Sequence, residues 1–227
     1  MKKLNVSEIF HSVQGEGKTV GRNVVFLRLA KCNLKCEFCD SKYSWVLGRN
    51  AEIRKIVNYV NRTSAQGLCI TGGEPLLQRD GIIELVDALA DKKQFFIEIE
   101  TNGTISPGEE LINNPLVNFN VSPKLENSEN EKKLRYNQEV LTAYANEKLQ
   151  HKTIYKFVIT NNEDLAEVKN IITDCGINKH QVYLMPEGIT EKEQTEKQEK
   201  VISLALENGW NFSPRIQVII WNTKRGV

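Results

Sequence analysis

Apolar positions along this chain fall into two periods that take turns. Short runs rich in β-branched and aromatic residues, with the length and composition of buried strands, occur at Val24–Ala30, Leu68–Thr71, Phe95–Glu100, Leu116–Val121, Ile154–Thr160 and Gln181–Leu184. Between them apolar residues recur at helical spacing: Ile53, Ile56, Val57 and Val60; then Ile82, Ile83, Leu85, Val86 and Leu89; then Leu165, Val168, Ile171 and Ile172. The pattern also predicts a first strand over Leu4–Phe10, a short helix after Pro107 that ends at Asn114-Pro115, and a helix near Tyr136–Gln150. A last helix is predicted from about Thr190 to Asn208 and a final strand over Arg215–Trp221, with the charged stretch Glu126–Arg135 read as a solvated loop. Strands alternating with helices imply an α/β fold with a parallel sheet and right-handed crossovers. About six strand–helix repeats are too few for an eight-fold barrel. The expectation is one domain over residues 1–227, a partial (open) parallel β/α barrel with its site at the C-terminal ends of the strands.

Composition narrows the function without choosing one. The chain of 227 residues is 40% hydrophobic and 26% charged, ordinary for a globular domain with a full core. A formal charge of +1 offers no overall field to draw in nucleic acid or a membrane surface. No apolar run approaches the roughly 20 residues that span a bilayer. Met1-Lys2-Lys3-Leu4 leads into strand-like alternation without a signal peptide's apolar segment, so the expected compartment is the cytoplasm.

The candidate chemistry sits in loops that leave the strands. Cys32, Cys36 and Cys39 form a C-x3-C-x2-C pattern directly after the run ending at Ala30. Thiolates in such a loop suit soft metals and iron–sulfur clusters. A cubane cluster has four irons, and three cysteines leave one iron open. Structural zinc wants four ligands, yet Cys69 and Cys175 stand alone and His11, His151 and His180 show no ligand spacing. A disulfide framework fits neither the length nor the odd count of five cysteines. Gly17-Lys18-Thr19 imitates the end of a phosphate-binding loop, but Ser12 occupies the position of the required first glycine and a strand follows in place of a helix, so nucleotide-triphosphate binding is rejected. Gly72-Gly73-Glu74-Pro75 directly after a strand exposes backbone where a ligand can approach closely. Arg28, among apolar neighbours, is either an exposed strand residue or an inward guanidinium awaiting a carboxylate.

With Phe38 before its last cysteine, the Cys32–Cys39 loop resembles the signature of the radical S-adenosylmethionine enzymes, and Gly72-Gly73-Glu74-Pro75 resembles their second motif, which holds the methionine amino group. The resemblance implies a [4Fe–4S] cluster on Cys32, Cys36 and Cys39 whose open iron chelates S-adenosylmethionine, and whose electron cleaves a carbon–sulfur bond to give a 5′-deoxyadenosyl radical. A narrower resemblance runs nearly end to end. Glu8-Ile9-Phe10 with Gln14-Gly15-Glu16-Gly17, Cys39-Asp40-Ser41, Ser122-Pro123-Lys124 and Trp221…Lys224-Arg225-Gly226-Val227 are similar to the family of 7-carboxy-7-deazaguanine synthases. Members of that family turn 6-carboxy-5,6,7,8-tetrahydropterin into 7-carboxy-7-deazaguanine with loss of ammonia, on the route to queuosine and other 7-deazapurines, and need magnesium as homodimers.

Carried over residue by residue, the resemblance implies that Val13, Gln14 and Gly15 line the pterin, with Glu16 supporting their loop. Arg28 would face the substrate carboxylate, with Thr71 and the terminal Val227 also at the substrate. Phe38, Asp40, Gly72, Gly73, Glu74, Ser122, Pro123, Lys124, Met185, Pro186, Glu187 and Gly188 would hold S-adenosylmethionine. Ser41 would be a hydroxyl ligand to Mg2+, where the family commonly has threonine. Gln217 falls where some members place a histidine in the final strand. The implied partners are the small-molecule pterin, an electron-donor protein such as a flavodoxin and a second copy of the chain, with no nucleic acid or membrane. Two other readings remain open at this point: a glycyl-radical-activating enzyme acting on a protein, and a non-catalytic metal-binding module.

Overall fold

Alternation along each strand sends one set of side chains to the helices and the other to an opposite, concave face. In the computed structural model, which describes residues 2–227, nine strands form one sheet: β1 (Lys3–Val13), β2 (Asn23–Leu29), β3 (Arg49–Glu52), β4 (Gly67–Gly72), β5 (Phe96–Thr101), β6 (Val117–Val121), β7 (Thr153–Ile159), β8 (Val182–Pro186) and β9 (Asn211–Phe212). Their order is β3-β1-β2-β4-β5-β6-β7-β8-β9. From β2 to β9 every neighbouring pair is parallel, while β1 runs antiparallel to both β2 and β3. The sheet is not closed, as expected of a partial barrel.

The crossovers carry α1 (Ile53–Asn61), α2 (Arg79–Asp87), α3 (Glu109–Asn113), α4 (Lys132–Arg135), α5 (Gln138–Tyr144), α6 (Asp164–Cys175) and α7 (Glu191–Asn208), and α8 (Ile216–Trp221) follows β9. Val25, Leu27 and Leu29 of β2, Leu68 and Ile70 of β4, Ile97 and Ile99 of β5 and Tyr155, Phe157 and Ile159 of β7 are buried in one core with Ile53, Ile56, Val60, Ile82, Leu85, Val168 and Ile171 of the helices. The helical spacing read from the sequence therefore lies on the sheet as expected. The other phase of the strands carries polar side chains, Arg28, Thr71, Glu98, Glu100, Asn120 and Lys156, among apolar ones such as Phe26 and Val158. No helix of the described residues is long and apolar enough to cross a membrane.

Three local expectations are corrected. Arg215–Trp221, read as a final strand, is instead the N-cap and body of α8, so Gln217 lies on a helix; the last strand is β9, two residues long. The β-branched run had the propensity of a strand, but context overrides propensity: α8 packs against α7 while its start docks on the β1–β2 loop. The charged stretch 126–135 holds a 3-10 turn at Glu126–Ser128 and the short α4. The helix predicted over 136–150 divides into α5 and a 3-10 turn at Glu147–Leu149.

Candidate active site

The loops at the C-terminal ends of the strands, the concave face and the final residues enclose a cavity of about 390 Å³. Cys32, Cys36 and Cys39 all line it, whereas Cys69 and Cys175 do not, and no histidine does. Cys69 lies in β4, fully buried; Cys175 ends α6 beside Tyr136. The three loop thiols are free and held in different ways: the Leu34 amide points at Cys32 Sγ (3.4 Å) and Asn130 Nδ2 at Cys36 Sγ (3.4 Å). Burial pushes the Cys32 thiol up to about 11 and raises Cys39 as well. A bound cation reverses that preference and ionises a coordinating thiol. Three soft donors lining one cavity, with no fourth thiol or imidazole there among the described residues, fit a cluster that keeps one iron open.

The glycine motif is fastened to the entry of the cysteine loop. Gly73 N donates to Leu29 O (3.0 Å) and Glu74 N to Lys31 O (2.8 Å). A Cβ on Gly73 would stand 2.0 Å from Lys31 O, so the close backbone approach inferred from the sequence is made, in the first place, to the chain's own cysteine loop. Lys31 sits at φ 77°, a conformation costly for a residue with a side chain; backbone bonds to Ser44 O and from Glu74 N hold it there. Glu74 itself does not line the cavity. It is fully buried, and its oxygens accept from Leu76 N (3.0 Å), Thr101 Oγ1 (2.8 Å) and Asn102 N (2.7 Å). Its place is to tie the β4 loop to the β5 loop. Pro123 is likewise buried behind the surface that Ser122 and Lys124 present. Every other site residue expected from the sequence lines the cavity: Val13, Gln14, Gly15, Glu16, Arg28, Phe38, Asp40, Ser41, Thr71, Gly72, Gly73, Met185, Pro186, Glu187, Gly188 and Val227.

Arg28 resolves its two readings toward the interior. A bulge in β1 between Val6 and Glu8 places Glu8 opposite Arg28, and Arg28 Nε donates to Glu8 Oε1 (2.8 Å). Tyr43 hydroxyl donates to the same oxygen. The two Nη groups form no hydrogen bond among the described residues, so a fork of donors faces the cavity with its charge secured; against burial, Tyr43, Asp40 and Glu8 hold the guanidinium protonated.

Several residues that the sequence reading passed over lie on the floor of the cavity or, like Glu98, are buried beneath it. Glu100 of β5 accepts from Thr71 Oγ1 (2.7 Å). Glu98, two residues back, accepts from Gln14 Nε2 (2.6 Å) and Thr19 Oγ1 (2.7 Å), and burial next to Glu100 pushes its carboxyl up to about 7. Cys69, Glu98 and Glu100 bring potential ligand atoms within 4.8 Å of one another, but the side-chain donors just named already serve these carboxylates. Glu16 is flanked by two cations: Lys156 Nζ donates to one oxygen, and Arg215 Nε (3.0 Å) and Gln217 Nε2 (2.7 Å) donate to the other. Burial would raise the Glu16 carboxyl; Lys156 and Arg215 outweigh it and hold the group well below the usual carboxylate range. Arg215 also donates to Asp40 and to Gly188 O. One guanidinium thus joins the β1 loop, the cysteine loop and the β8 loop.

Comparison with known proteins agrees with this layout. Residues 28–198 match the model of the Radical SAM superfamily. The chain is 36% identical to the 7-carboxy-7-deazaguanine synthase of Pyrobaculum aerophilum over 99% of this chain and 97% of that protein. It is 35% identical to the synthase of the same name from Halobacterium salinarum, over 96% and 91%. Among solved structures, its fold is similar to that of QueE from Escherichia coli (TM-score 0.73, 22% identity, 93% of each chain). It is also similar, more distantly, to native anSMEcpe with bound AdoMet and Kp18Cys peptide (TM-score 0.56, 15% identity, 83% of this chain and 63% of that one).

Proposed function

The chain belongs to the radical SAM superfamily and, within it, to the 7-carboxy-7-deazaguanine synthases, and on that premise we propose how its own residues divide the work on 6-carboxy-5,6,7,8-tetrahydropterin. Membership implies a [4Fe–4S] cluster and S-adenosylmethionine, and the chemistry such a cluster would supply when bound is one-electron reduction of the sulfonium. Cys32, Cys36 and Cys39 are the residues that would hold it. The observation that carries the reading is the cavity itself: three thiols at one side, and at another a guanidinium fork, a carboxylate and amide groups suited to a carboxylated pterin. Full-length similarity to synthases leaves the glycyl-radical-activating reading unfavoured. The superfamily match spans residues 28–198 and omits Gln14, Gly15, Glu16, Arg215 and Val227, which line the same cavity, while the relatives match nearly the whole chain.

Arg28 takes the substrate carboxylate on its two Nη groups. Thr71 and Glu100 meet the pterin ring, a carboxylate being matched to its N–H and NH2 donors. Gly72, Gly73, Ser122, Lys124 and the Met185–Gly188 loop line the S-adenosylmethionine side. Anaerobically reconstituted protein incubated with S-adenosylmethionine, reductant and the carboxytetrahydropterin should yield the deazapurine and ammonia; a brown, S-adenosylmethionine-cleaving protein that makes no deazapurine would sink the reading. Arg28→Lys keeps the charge and removes the fork. Its KM for the pterin should rise roughly tenfold or more, with iron content unchanged; an unaltered KM counts against the assignment.

Ser41 fits a magnesium site by its donor chemistry. It is 7% exposed, lines the cavity, and gives its proton to Asp40 Oδ1 (2.9 Å), which leaves its lone pairs for a hard cation. The Ser41→Ala enzyme should lose most of the stimulation that wild type gains from added Mg2+. Equal stimulation of both proteins removes Ser41 as a ligand. A flavodoxin-type electron donor and a homodimer belong to the same proposal and rest on the family resemblance alone; the cytoplasmic setting proposed with them rests on the sequence reading above.

A further inference from the structure

On the concave face, one polar side chain has no work in the fold. Asn120 of β6 is 1% exposed and lines the cavity, yet neither its Oδ1 nor its Nδ2 has a hydrogen-bond partner among the described residues. Its neighbours are all engaged: Glu100 with Thr71, Glu98 with Gln14 and Thr19, Lys156 with Glu16. A buried carboxamide with both ends unpaired is a cost that a fold rarely leaves uncompensated. The surroundings confine it. A Cβ on Gly17 would come within 2.9 Å of Asn120 Nδ2, with Ile154 equally close to that Cβ, so the absence of a side chain at Gly17 makes room for the amide beside an apolar wall.

We propose that Asn120 is a specificity-determining residue that reads the lactam edge of the pterin, the adjacent ring N–H and C=O. This rests on the reading above that the cavity takes a pterin. Asn120 and Glu100 are register partners on neighbouring parallel strands, about 5 Å apart across the sheet. Side by side they can offer acceptor, acceptor, donor, the Glu100 carboxylate, then Asn120 Oδ1, then Asn120 Nδ2, because no hydrogen bond holds the carboxamide in the opposite orientation. A 2-amino-4-oxopyrimidine ring presents the complement in one line: amino N–H, ring N–H and carbonyl oxygen. An adenine-type edge, with an acceptor nitrogen beside its amino group, cannot satisfy the same row. Glu100 keeps lone pairs for this contact, since a carboxylate has about four acceptor positions and only Thr71 (2.7 Å) and a long contact from Gln14 (3.4 Å) use them. The 7-deazaguanine product keeps the same ring edge, so Asn120 grips both ends of the reaction.

The test uses reconstituted holoenzyme and two variants. Asn120→Leu removes both hydrogen-bonding ends in a similar volume; Asn120→Asp keeps the shape and removes the donor. In each, KM for the carboxytetrahydropterin and the inhibition constant of 7-carboxy-7-deazaguanine should rise together, roughly 10- to 100-fold, with S-adenosylmethionine affinity and iron content unchanged. The thermal midpoint of the pterin-free Leu variant should equal or exceed that of wild type, because an unpaired amide has been replaced by an apolar group; a merely structural asparagine would give a fall. Wild-type enzyme that turns over no carboxytetrahydropterin overturns the pterin reading and this assignment with it. Wild-type turnover with unchanged pterin and product affinity in Asn120→Asp overturns the assignment alone.

Discussion

Arg215→Met should cost about 3 kcal/mol of stability and lower kcat/KM by roughly 100-fold or more. The variant removes the one side chain that ties three loops of the cavity together. Glu16, 12% exposed at its side chain, would keep Lys156 and Gln217 but lose its second cation. Asp40 is 45% exposed at its side chain, so solvent softens its share of the loss. Against the burial that would raise it, Arg215 and Arg28 hold the Asp40 carboxyl down; without Arg215 the cysteine loop loses its anchor to α8. The pH dependence follows from Glu16. Its folded-state pKa is depressed, so its contribution is complete above the ordinary carboxylate value of 4.5 and is lost as pH falls through the folded value. The gap in thermal midpoint between wild type and variant should therefore be flat from pH 8 to about 5 and narrow in stronger acid. Arg215→Lys, which reaches one carboxylate and not three acceptors, should recover part of the stability and little of the activity. A Met variant as stable and as active as wild type would show that the three loops hold their places without it.

Arg215 also shows where sequence reading ran out. Its partners Glu16 and Asp40 lie 199 and 175 positions away, and no local pattern announces such a contact. Its setting was misread as well, because Ile216-Gln217-Val218-Ile219-Ile220-Trp221 has the composition of a strand and the true edge strand, Asn211–Phe212, is too short to leave a periodic trace. Glu98, Glu100, Asn120 and Lys156 were different. Each stands at an alternate position within a run that the apolar pattern identifies as a strand, so the signal was present. A polar residue in that phase of a strand covered by helices on its other face points into the concave side. Following the polar phase across β5, β6 and β7 would have named the floor of the cavity. By contrast the cysteine loop, the glycine motif and, apart from the short α4, the order of strands and helices from β4 to α7 were legible, because short-range spacing and period carry them directly.

The glycine motif is where sequence and geometry support each other most closely, and Gly73→Ala is the sharpest test of that agreement. Alanine would place its Cβ 2.0 Å from Lys31 O and 2.9 Å from Cys32 N, both backbone atoms of the cysteine loop. No side-chain rotation relieves a clash between backbones, so the loop must shift, and the three thiols shift with it. The hydrogen bonds Gly73 N to Leu29 O and Glu74 N to Lys31 O, the second of which helps keep Lys31 in its left-handed conformation, would be strained together. The expected result is a soluble, folded protein with less than about a tenth of the wild-type iron and no measurable cleavage of S-adenosylmethionine, since ligand geometry must be held within roughly 0.5 Å for a site to form. The clash lies in the loops just past the ends of β2 and β4 and leaves the strands and helices themselves in place, so far-UV circular dichroism should stay close to wild type. Gly176→Ala is the control: that glycine has positive φ (65°), which alanine adopts at a cost, but its Cβ would meet no atom within 4 Å, so the substitution strains only the end of α6 and leaves iron content intact. A Gly73→Ala protein that carries a full cluster would mean that the cysteine loop is positioned by something other than the backbone of the β4 loop.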